Sequence, residues 1–206
     1  MPQTPLADDL AYVRQMAEEG ATAPSLGGRF SLWWALLAAI ALMTHWAALT
    51  GNVPIAMGHI GFIWITFAVV GVLGNVVLGM TMRGKPGGSA PGNRVQTAIW
   101  PVTTAGLFLY GTAIGFGVAM RDLPVLLFDT IMPVTFILYA VNSSAEAVLF
   151  RQKLPWLTVG VSLVTAAVCT YLIGSTTTYL VATAGVLLAW LYPSIQTLRA
   201  EPKSVV

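Results

Sequence analysis

The sequence predicts an all-α polytopic membrane protein, a bundle of six transmembrane helices with both termini cytoplasmic, preceded by a short amphipathic cytoplasmic helix. Three observations predict it. Of 206 residues, 56% are hydrophobic and 9% are charged, against about 25% charge in an ordinary soluble domain. The few charges are segregated, leaving long stretches with no Asp, Glu, Lys or Arg. Those stretches are continuously apolar rather than alternating, so they read as helices, which satisfy their own backbone hydrogen bonds in lipid, and not as barrel strands.

The balance of 10 basic and 8 acidic residues, for a net charge of +2, excludes a nucleic-acid binder with a basic face. A mean hydropathy of +0.77 excludes a soluble enzyme or a disordered tail protein. A lone cysteine, Cys169, excludes an internal disulfide and any cysteine-built zinc or iron–sulfur framework.

Residues 1–30 form the cytoplasmic N-terminal segment. Thr4 and Pro5, followed by Asp8 and Asp9, read as a helix start, with acids near the positive end of the dipole. Leu6, Leu10, Val13 and Ala17 recur at helical spacing until Gly20. This amphipathic helix carries more acid than base, so it suits docking on its own bundle or on a protein partner better than on anionic lipid.

From Ser31 to Met82 no charge interrupts 52 residues, enough for two crossings of roughly 20 residues each. The turn Thr50-Gly51-Asn52-Val53-Pro54 divides them into spans at 31–50 and 54–82. The Gly/Pro-rich basic segment 83–94 is a linker, followed by a third span at 95–120. The fourth, 123–150, is interrupted only by Asp129 and Glu146. Gly174 to Thr178 splits the last uncharged run into spans at 154–173 and 179–198, leaving 199–206 as a cytoplasmic tail.

With six alternating spans, nine of the ten basic residues fall on one side and Arg121 alone on the other. The positive-inside rule makes the first side cytoplasmic. The expectation is a multi-pass protein of a bacterial inner membrane, the first span being an uncleaved anchor. Trp33, Trp34, Trp100 and Trp156 fall near predicted interfaces, whereas Trp64 falls mid-span and is expected to pack between helices.

Ionisable residues inside spans are costly and mark function by default. Four are present: His45, His59, Asp129 and Glu146. Counted from the helix ends, His45, His59 and Asp129 share one layer about 7–8 Å inside the extracytoplasmic boundary. Convergence there would suit a metal ion, held by His45, His59 and Asp129, or a proton-handling site. A haem between His45 and His59 is a further possibility, and a chain with no cofactor is the plainest. In the fourth span Pro133 cannot donate to the carbonyl of Asp129, which predicts a kink. Tyr139, Asn142 and Glu146 follow as a polar stripe along the same helix. The pair Gly111 and Gly115 permits close helix approach, within the bundle or in a homo-oligomer.

No enzyme fingerprint is present, so no catalytic residue is assigned. Three functions follow. The first is a small transporter or transport accessory using Asp129, Tyr139, Asn142 and Glu146, with His45 and His59 at its outer mouth. The second is a metal- or haem-binding redox protein through His45 and His59. The third is a non-catalytic subunit or sensor presenting residues 6–20 to a cytoplasmic partner. The bilayer is the expected environment of all three, and no nucleic acid is an expected partner.

Overall fold

The structure, a computed structural model, describes residues 25–82, 85, 87, 88 and 90–200. The expected amphipathic helix at residues 6–20 lies outside the described residues, as do 201–206 of the tail and part of the 83–94 linker. Among the described residues all regular structure is helical, and six helical segments are long and apolar enough to cross a membrane.

Helix α1 spans Gly28–Leu49 and ends at Gly51, whose φ of +75° lets Asn52 N–H reach back to the carbonyl of Ala47 at 2.8 Å. A 3₁₀ turn, Met57–His59, leads into α2, Ile60–Thr81. Helix α3, Pro91–Arg121, starts with proline in its first turn, where the missing N–H is no loss. A second 3₁₀ turn, Val125–Thr130, precedes α4, Ile131–Leu149. Helix α5 spans Leu154–Tyr171, again with proline in its first turn. The sixth segment is composite: α6, Thr177–Val186, then a π turn at Leu187–Leu191, then α7, Tyr192–Ala200.

Two prolines shape these segments in different ways. The kink expected at Pro133 is replaced by a change of helix type. Residues 125–130 are wound as 3₁₀, and Pro133 sits in the first turn of α4, where its ring and missing donor disturb least. Pro193 lies further inside its helix and cannot donate to the carbonyl of Ala189. The backbone widens into a π turn immediately before it.

Helix α1 packs against α2, α6 and α7, while α5 packs against α4, α6 and α7, and α3 lies on α4. The buried core comes from α1, α4, α5 and the sixth segment, with Phe136, Val186 and Trp190 among small residues such as Ala35, Ala38, Ala166 and Ala182. Small side chains let backbones approach, which is how helices gain contact in lipid, where burial of apolar surface gives no advantage. Helix α2 buries only Gly71 and exposes Phe62, Ile65, Val69, Leu73 and Val76 on its surface, as suits a lipid-facing helix.

The α1–α2 seam gives two tryptophans a packing role. Trp33 and Trp34 lie between these helices. A Cβ at Gly71 would collide with the Trp34 ring, and one at Gly74 with Trp33. Trp33 Nε1 donates to the carbonyl of Gly71 and Trp34 Nε1 to Oδ1 of Asn75, each at 3.3 Å. Trp64 packs against the core as expected. Gly111 and Gly115 face α4 and the turn before it, since a Cβ on each would make ordinary contact with Ile131 and Phe128 respectively.

Candidate functional site

Two polar layers lie at opposite ends of the helices. The near end is where α1 begins and α7 ends, since a Cβ on Gly28 would meet the backbone of Leu198 and Ser194. The far end holds the connections α1–α2, α3–α4 and α5–α6.

At the far end, Asp129 is 9% exposed and both its oxygens are met by neutral donors. The Tyr179 hydroxyl donates to Oδ1 and the Gly174 backbone N–H to Oδ2, each at 2.9 Å. Gly174 has a φ of +86°, a backbone that glycine adopts without steric penalty. One carboxylate thus ties the 3₁₀ turn before α4 to the α5–α6 connection and to the first turn of α6. The Tyr179 ring lies 4.2 Å, centroid to centroid, from the ring of His45. His45 is 8% exposed, and its Nδ1 accepts the indole N–H of Trp64 at 3.1 Å. The result is a continuous chain, Trp64–His45–Tyr179–Asp129–Gly174, drawn from four helical segments and the α5–α6 connection.

Of the three residues expected to converge in this layer, the structure brings together His45 and Asp129, through Tyr179. It does not bring His59 to them. That residue closes the 3₁₀ turn Met57–His59, is exposed, and rests against Phe62. It lies within the apolar segment Met57–Thr81, ahead of the regular α-helix that begins at Ile60. Among the described residues no group of three or more His, Cys, Asp or Glu is placed to hold a metal ion. With Nδ1 engaged by Trp64, His45 offers one free ring nitrogen.

At the near end, Glu146 accepts the Ser25 hydroxyl on Oε1 at 2.9 Å. It lines a small cavity of about 30 Å³ with Ser31, Tyr139, Ser143, Thr158 and Ser194. Ala189 and Pro193, the two residues between which the π turn forgoes an α-helical hydrogen bond, line it too. A wider groove of about 300 Å³ adjoins it, lined by Ser25, Gln152, Lys153 and Gln196, and shares Leu154 and Thr197 with the cavity.

The polar stripe on α4 divides. Tyr139 and Glu146, seven residues apart, lie almost in line and both reach the cavity. Asn142 sits about 60° round the helix from Tyr139 at 3.6 residues per turn, and it turns to α3, donating to Thr103 Oγ1 at 2.9 Å. Asn142 therefore fastens a helix seam rather than lining the cavity. Tyr139 is held between aromatic rings, stacked on Trp190 at 4.4 Å and tilted against Trp100 at 4.9 Å.

Sequence reasoning missed Tyr179, Ser25 and Pro193. Tyr179 had a readable signal, a hydroxyl-bearing aromatic at the opening of the sixth span in the same depth layer as Asp129. Pro193 was legible as a helix breaker inside an apolar run. Ser25 had none, because its role depends on the chain before α1 folding back over the end of α4.

No family model matches this sequence, and no curated protein or solved structure matches it either.

Proposed function

We propose that this chain is a small transporter or transport-accessory protein, with Glu146 as its working acid and the Asp129 cluster as the closure of the opposite end. The observation that carries this reading is an asymmetry along the fourth span, Val125–Leu149. Two intramembrane acids lie 17 residues apart on one segment, about 25 Å by helical rise, in opposite circumstances. Asp129 is sealed by Tyr179 and Gly174. Glu146 faces a polar cavity that adjoins a groove at the near end. Phe136 and Val186, both almost fully buried, lie among the core residues between the two layers.

An alternating-access device needs this combination: a polar site open toward one side, a clamp on the other, and a dry plug between. The excess of basic residues at the near end supports placing that end, with both termini, on the cytoplasmic side of an inner membrane. The six helices are then a bundle around a path from the groove to the Asp129 clamp. Reconstitution into liposomes containing a pH-sensitive dye tests the reading under imposed proton and salt gradients. Wild-type protein should dissipate a gradient, Glu146→Gln should abolish flux, and Asp129→Asn should leave a leak. Equal flux with and without wild-type protein under every gradient overturns it.

A further inference from the structure

We infer that the Glu146 cavity is a binding site for a sodium-sized monovalent cation. The inference takes Glu146 to be the working acid, as above, and adds the identity of the ion. Its first support is the donor set. The side chains that line the cavity and can bind a ligand carry oxygen only: the Glu146 carboxylate and the hydroxyls of Ser31, Tyr139, Ser143, Thr158, Ser194 and Thr197. Neither nitrogen nor sulfur is offered, so the site suits a hard cation and not a transition metal.

The charge count is the second support. One carboxylate balances one positive charge, and a divalent ion would leave a buried charge uncompensated. The third is size. About 30 Å³ accommodates an ion and roughly one water, since a single water needs about 10–15 Å³ by the same measure. Access runs through the adjoining groove. Ser25 lines that groove and also holds Glu146 Oε1, so an arriving ion must displace or share that hydroxyl. Lys153 lines the same groove and slows cation arrival at low ionic strength.

The test is thermal unfolding of the purified full-length protein in detergent, at one pH and one ionic strength, in sodium, lithium, potassium or choline chloride. Sodium should raise the midpoint saturably above choline, with potassium weaker. Glu146→Gln should erase the difference. Thr158→Val, which removes one hydroxyl from the wall, should raise the half-saturating sodium concentration several-fold and serves if the Glu146 variant does not fold. Identical midpoints in all four salts, or a sodium effect that survives Glu146→Gln, overturn the inference. Sodium stabilisation without flux in liposomes would uphold the site and defeat the transport reading. Flux with no sodium effect on unfolding would do the reverse.

Discussion

The hydroxyl of Tyr179 donates to Oδ1 of Asp129 at 2.9 Å, and the ring carrying that hydroxyl lies against His45. This contact joins the first turn of α6 to the turn that opens the fourth span. Removing the hydroxyl while keeping the ring isolates it. Tyr179→Phe leaves a buried carboxylate oxygen without its donor, which costs about 1–3 kcal/mol. Thermal unfolding should show that loss. The double variant Tyr179→Phe/Asp129→Asn should cost less than the two single changes added together, because both act on one interaction.

Gly174 supplies the second donor to Asp129 from a left-handed backbone at φ +86°, and a Cβ there would come 3.2 Å from Leu126 Cδ1. Gly174→Ala should therefore destabilise by at least the left-handed penalty of about 1–2 kcal/mol. Gly160 lies within α5 with open space around it, so Gly160→Ala should be neutral or stabilising. Equal effects of the two changes on the unfolding midpoint would defeat this account.

The α1–α2 hairpin rests on two tryptophan rings seated over glycines. Gly71→Leu or Gly74→Leu should unseat Trp34 or Trp33, and Gly79→Leu, in open space, should not. The readouts are tryptophan emission and the protease sensitivity of the 50–56 connection. An emission spectrum unchanged in the first two variants would count against the packing described.

Orientation can be read chemically, because Cys169 is fully buried and gives little background to a membrane-impermeant maleimide. Arg121→Cys should label in intact cells, and Lys153→Cys only after permeabilisation. The opposite pattern would invert the proposed topology and place the groove on the outside.

The fold class was legible because lipid imposes one rule on a whole segment. A continuous apolar run such as 31–82 has few ways to satisfy its backbone, so composition alone announced helices. The candidate site was legible only in part, because its members are set by rotation and depth. Asp129 and Glu146 stood out as acids in apolar runs. Whether Asn142 would share the direction of Glu146 or turn to Thr103 depends on a rotation of about 40°, which a loosely spaced stripe does not resolve. His59 lies in a 3₁₀ turn ahead of the regular helix, a winding that a helical count does not anticipate. Tyr179 went unnoticed because a tyrosine near a span end has an ordinary explanation as an interfacial anchor.

The π turn at Leu187–Leu191 makes the sixth segment two helices in different phases, joined without a break. Tyr179, Ala182, Val186 and Ala189 keep one phase, and Ser194 is buried in another. A helix in this state is a frame-shifted object, in which a single inserted or deleted residue between 187 and 191 re-indexes everything beyond it while leaving the crossing intact. Deleting one residue there would turn Ser194 and Thr197 away from Glu146 without touching the far end. Length variation at this turn is thus a simple route by which such a chain could acquire a different lining for its inner cavity.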